Sequence, residues 1–196
     1  MSVGVEERTG PRATDVRADA HTGGGAKPGA GASRAAAFVH GARLVPAALW
    51  LGAAAFFSFA VAPSAFAVLP TRDLAGAVVA RTLSIVNVGG FAVGLLLLLT
   101  WPAGRGLVRR AALRAEAAAL AVVTLASGAG HWLVAARMRD LRARMPAPID
   151  TLAADDPLRV AFGDLHGYSV AALTAGMLAG LVALLLIARR TKGGRQ

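Results

Sequence analysis

Between Arg43 and Arg72 the chain runs for 28 residues without a formal charge. In hydrocarbon no water is present to satisfy peptide groups, so such a run must close its hydrogen bonds internally, as a helix. About 20 apolar residues suffice to cross a bilayer, which makes this stretch a long or tilted transmembrane helix. Pro46 falls in its first turn, where a missing amide proton costs little. Pro63 lies near its far end and is expected to kink or loosen the last turn.

Three further runs repeat the pattern. Another 23 uncharged residues separate Arg81 from Arg105, residues 117–136 lie between Glu116 and Arg137, and a fourth run covers about 160–188. The expected spans are about 44–70, 75–101, 114–136 and 160–188. Arg81 enters the second span and is expected to snorkel outward, while Trp101 and Trp132 suit the two aromatic interfacial belts. The third helix continues past the membrane through Arg144, until Pro146 and Pro148 end it. At about 1.5 Å per residue the fourth run reaches roughly 43 Å, so its first turns, including Asp164, project into the interface.

The predicted fold class is therefore all-α, an integral membrane four-helix bundle over residues 37–190. A polar, Gly- and Ala-rich lead over 1–36 lacks an apolar face and reads as disordered. A basic tail covers 191–196. The lead does not resemble a compact secretory signal, so the first helix is expected to remain in the mature protein.

Composition fits: 56% of residues are apolar and only 16% charged, against about 25% in soluble chains. The net charge of +10 raises nucleic acid as a partner. The basic residues, however, sit between apolar runs rather than along one interleaved face, and at membrane edges they meet anionic head groups. The expected partner is the lipid bilayer, with a homo-oligomer as a further option and no nucleic acid. Fourteen of the 21 Lys and Arg fall on the side of the two termini, which predicts cytoplasmic termini. The Ala/Gly/Arg bias is like that of GC-rich bacteria and places the chain in a bacterial inner or plasma membrane. Absence of cysteine excludes disulfides and thiolate metal sites.

Small residues allow membrane helices to approach closely. Gly90/Gly94, Gly163/Gly167 and Gly176/Gly180 each have Gly-xxx-Gly spacing, which serves packing within the chain or a dimer seam. Polar residues inside the runs are costly and so informative. Asn87 and Ser84 form a short stripe on the second helix, for an interhelical hydrogen bond or a polar pathway. His131 and His166 fall on consecutive helices, each roughly 7–9 Å from the same outer edge by helical rise. Asp164, Tyr168 and Ser169 accompany His166, with Ser169 on its side of the helix. Such imidazoles serve structural hydrogen bonds, a proton or small-solute site, or a metal or haem held by His131 and His166, with Met138 or Met177 as a thioether ligand for copper. No phosphate loop, nucleophile elbow or intramembrane carboxylate pair is present, and no cofactor is identified.

Two separated stretches carry a resemblance. Leu49–Trp50–Leu51–Gly52, Phe56–Phe57, Val61–Ala62–Pro63, Phe66 and Leu69–Pro70 come first, followed by Ala75–Gly76. Near the C-terminus stand Asp156–Pro157, Phe162 and Leu165–His166–Gly167–Tyr168–Ser169, with a Leu-His-x-x-Ser element. In this order they resemble the membrane family with a domain of unknown function that includes transmembrane protein 205, over roughly 45–188. The resemblance implies a four-helix multi-pass domain and highlights Gly52, Pro63, His166 and Ser169. It implies no reaction, and His131 has no counterpart in its pattern. Bacterial membrane domains linked to copper resistance are broadly similar at the level of fold.

Together these features read as a multi-pass membrane protein, more a non-enzyme than an enzyme, that handles a small solute or proton or modulates a membrane partner. The alternative is a copper- or haem-binding membrane protein using His131 and His166.

Overall fold

In the computed structural model the described residues are 30–101 and 110–193. Helix α1 spans Ala30–Phe56 and passes through a π-helical turn, Phe57–Val61, into α2, Ala62–Val68. Helix α3 covers Arg72–Leu99. Helix α4, Arg110–Gly128, continues through a second π turn, Ala129–Val134, into α5, Ala135–Arg144. After a short 3-10 turn at Ile149–Thr151, α6 runs over Pro157–Gly193. The four-span all-α expectation holds: Gly41–Val68, Arg72–Leu99, Arg110–Arg144 and Pro157–Arg189 are each long and apolar enough to cross a membrane.

Local chemistry sets the breaks. Pro63 cannot donate to the ladder, and the wider turn just before it absorbs the defect, with Ala62 N–H reaching back to Phe57 O. The expected loosening is thus a π turn one step upstream, and the helix resumes to Val68. Thr71 ends the connection by accepting from Leu74 N at 3.2 Å, capping α3. Asp156 accepts from Leu158 N at 2.8 Å and Arg159 N at 3.3 Å, which starts α6 with Pro157 in its first turn. Helix α5 stops at Arg144, before Pro146 and Pro148.

One boundary differs from expectation. Residues 30–36, read as part of the disordered lead, are already helical, because the Ala-rich stretch has high intrinsic helix propensity. The rest of that lead and residues 194–196 of the basic tail lie outside the described residues.

Helices α1, α3, α4 and α6 pack in an up-down-up-down ring, with α6 closing against α1. Towards the end shared by the start of α1 and the end of α6, Ala47, Leu97, Ala119, Leu120 and Ala183 form the core. The middle holds Trp50, Ala54, Phe57, Val86 and Val123. Large apolar side chains such as Phe59, Val68, Leu99 and Leu125 point outward, as an acyl-chain solvent demands.

Candidate functional site

Helix α3 packs directly against α4, and the antiparallel register of the pair can be read rung by rung. A Cβ on Gly130 would meet Asn87 Nδ2 at 2.9 Å, one on Gly90 would collide with Ser127 Oγ, and one on Gly94 with Thr124 Oγ1. Each rung places a bare backbone opposite a short polar side chain. Glycine is needed because any side chain would push the helices apart. Asn87, Ser127 and Thr124 are all buried.

Trp50 wedges into the same region from α1. Its indole Nε1 donates to Val86 O at 3.0 Å. A Cβ at Gly90 would lie 2.6 Å from Nε1, and one at Gly180 2.8 Å from Cζ3. Gly176 also faces this indole, at 3.7 Å from its expected Cβ. Gly90 of α3 and both glycines of the α6 pair thus surround an aromatic wedge within the chain. Gly52 differs: it is exposed with open space at its Cβ position, and so are Gly163 and Gly167. The packing role expected for Gly52 is therefore not met within the chain, because its face of α1 turns away from the bundle. Pro63 is likewise exposed and acts on its own helix.

At the end of the seam away from the start of α1, His131 sits inside the second π turn, where Ala135 N–H bonds to Gly130 O. Its Nδ1 lies 2.9 Å from Ser84 Oγ. Its ring meets Trp132 edge-on at 5.0 Å, and Trp132 meets Phe91 the same way at 4.8 Å. The Ser84 contact is unlike those of the other helical hydroxyls. Ser58, Thr82, Thr100 and Thr124 all turn back to the carbonyl four residues earlier, Ser58 reaching Met177 as well, whereas the bond of Ser84 runs only across, to the π turn that follows α4.

The second imidazole is elsewhere. Gly176 faces Ala126, and the Arg142 guanidinium lies over Phe162, which fixes the α4/α5–α6 register. In it His131 stands opposite about residue 172, so His166 lies roughly 7–10 Å further out by helical rise. The equal depth expected from run lengths is corrected by this register and by the π turn. His166, Asp164 and Tyr168 are exposed, and Ser169 alone of that group is buried. Among the described residues no hydrogen bond joins His166 to His131, and no group of three metal-capable side chains forms. Met177 accepts from Ser58 Oγ at 3.8 Å.

A charged pair at the opposite end escaped the sequence reading. Arg43 Nη2 donates to Glu116 Oε1 at 3.0 Å and to Leu97 O at 3.0 Å, with the side chains 5% and 0% exposed. Both residues had read as edges of uncharged runs. The available signal was that their runs start at the same membrane face, which puts opposite charges at one depth.

Fold and seam define the class: a polytopic α-helical membrane protein in which α3 and α4 approach closely where glycines face short polar side chains. Residues 45–147 match the family described as Domain of unknown function (DUF4149), and the chain belongs to it. The match contains Trp50, the α3–α4 rungs and His131, and stops before His166 and Ser169. No curated protein and no solved structure matches the chain.

Proposed function

We propose that this protein is a proton-linked membrane module, in which the protonation state of His131 sets the packing of α3 against α4 and thereby modulates a membrane partner. The carrying observation is the 2.9 Å contact between His131 Nδ1 and Ser84 Oγ inside a π turn. A neutral imidazole can accept from or donate to that hydroxyl, depending on tautomer. The imidazolium donates from both nitrogens, so Ser84 must then accept, and its own proton must turn elsewhere, for example to its helix carbonyl four residues earlier. Protonation therefore rewires a bond that holds two helices together, at a place where the ladder is already wide. Single π turns of this kind are frequent at functional sites.

The interior favours sensing over passage. The cavity beside Trp50, Gly94 and Leu120 has about 10 Å³, at the lower limit for one water. The likeness to the transmembrane protein 205 group, a bacterial inner-membrane setting and cytoplasmic termini belong to the same proposal, on the motifs and the basic-residue count.

The test uses the tryptophan beside the imidazole. In lipid nanodiscs the wild type should show a pH-dependent step in tryptophan emission. H131Q should remove the step and S84A should displace it. A step that survives H131Q refutes the proposal.

A further inference from the structure

At the end of the bundle opposite the chain termini, a cleft of about 260 Å³ opens between the first turns of α3 and the residues that follow α5, lined by Asp73, Arg142, Met145, Pro148 and Ile149 among others. We infer that this cleft binds the head group of an amino-phospholipid, with its phosphate on Arg142 and its ammonium on Asp73.

Arg142 is held in place without being neutralised. Its guanidinium carbon lies 5.3 Å from the Phe162 ring centroid, and a Cβ on Gly76 would come within 3.0 Å of Nη2. One face thus lies on an aromatic ring and the group rests against bare helix backbone, which fixes the plane of the fork. Three nearby arginines have oxygen partners of their own, and Arg137 and Arg139 are exposed and do not line the cleft. Arg72 lies 3.9 Å from Asp150, Arg144 lies 2.8 Å from Asp140, and Arg159 donates to Leu152 O at 2.6 Å. Among the described residues the Arg142 side chain meets no oxygen, and Asp73 meets no cation or donor. The two share one cleft yet do not pair. A separated guanidinium and carboxylate facing one space is the complement of a zwitterion.

The setting selects the kind of zwitterion. Asp73 and Gly76 lie in the first two turns of a membrane-spanning helix, and Arg142 in the last turn of another. This is head-group level, where phosphodiesters are concentrated. A guanidinium fork matches phosphate in two parallel bonds, and Met145, Pro148 and Ile149 offer the apolar wall that the glycerol end needs. The volume falls below the range of drug-sized sites, about 300–1,000 Å³, and fits a head group rather than a whole lipid.

Native mass spectrometry of the full chain, released from mixed micelles, tests this directly. Phosphatidylethanolamine should be retained in preference to phosphatidylcholine, whose quaternary amine cannot donate, and to phosphatidylglycerol, which has no amine. R142Q should weaken its retention about 10- to 100-fold, the loss of charge-assisted hydrogen bonds. G76V should do the same without removing a charge. D73N, the mildest change, should abolish the preference for phosphatidylethanolamine over phosphatidylcholine while leaving phosphate retention. Displacement by water-soluble phosphoethanolamine would assign the same chemistry to a free metabolite. Displacement by alanine would overturn phosphate recognition. Equal retention of the three lipids by the wild type, undiminished retention in a folded R142Q protein, or an undiminished preference for phosphatidylethanolamine in a folded D73N protein would overturn the inference.

Discussion

Replacing Glu116 by alanine leaves the Arg43 guanidinium, 5% exposed, among helices with Leu97 O still accepting from it. At an N–O distance of 3.0 Å and an effective dielectric constant near 20, the lost attraction is about 5–6 kcal/mol. Most of that attraction offsets the desolvation of the two charges, so the intact pair is worth much less than this figure. Removing one partner exposes the imbalance, and about 3–5 kcal/mol of stability should disappear. That is a shift of roughly 10²- to 10³-fold or more in the unfolding equilibrium. The double variant R43M/E116L removes both charges, keeps the volume apolar and should recover most of the loss. The assay is reversible unfolding by SDS titration in mixed micelles, followed by circular dichroism, on wild type, both single variants and the double. A large coupling between sites 43 and 116 is the expected result. If E116A unfolds like wild type, or if the double variant is as unstable as the sum of the singles, the buried pair does not exist as described.

Three further outcomes can be measured. G90V forces a side chain onto Trp50 Nε1, 2.6 Å from the expected Cβ, and should lose about 1–3 kcal/mol or more by overpacking, whereas G52V, into open space, should stay within about 0.5 kcal/mol; SDS titration separates them. W50F removes the donor to Val86 O and should lower stability by about 0.5–1.5 kcal/mol for the bond alone, with more if the pocket between Gly90 and Gly180 does not collapse. Reporter fusions at the N- and C-terminus should both register cytoplasmic exposure, and a periplasmic signal from either would defeat the orientation drawn from the basic residues.

What could be read in advance, and what could not, has one physical origin. The helices between Arg43 and Arg72 or Arg81 and Arg105 are visible in sequence because burial of peptide groups in hydrocarbon depends only on local composition. The stop at Pro146 is local for the same reason. Rotation about each helix axis is not local. Gly52 and Gly90 have the same side chain, yet one faces open space and the other an indole, and only the neighbouring helices decide which. Glu116 read as the edge of a run, but tertiary packing carries it to 0% exposure beside Arg43. Depth suffers similarly: counting from run ends placed His131 and His166 level, while the contact between Gly176 and Ala126 sets the register and separates them.

The seam is not uniform along its length, and this bears on how the proposed module would work. Arg43, Glu116 and the Leu97 carbonyl clamp the end beside the start of α1, and Gly94 and Gly90 hold Thr124 and Ser127 closely in the middle. Only at Ala129–Val134 does the ladder widen, and there the seam carries its one imidazole. A change at His131 therefore cannot easily propagate inward; the compliant direction is outward, into α5. Helix α5 follows the π turn without a break and carries Arg142, which leans on Gly76 of α3 and Phe162 of α6. Tightening or relaxing the π turn would rotate that guanidinium relative to Asp73. Under the proposed reading, proton binding at His131 and occupation of the outer cleft act on one short lever, and linkage then requires each to alter the other's affinity by the same factor.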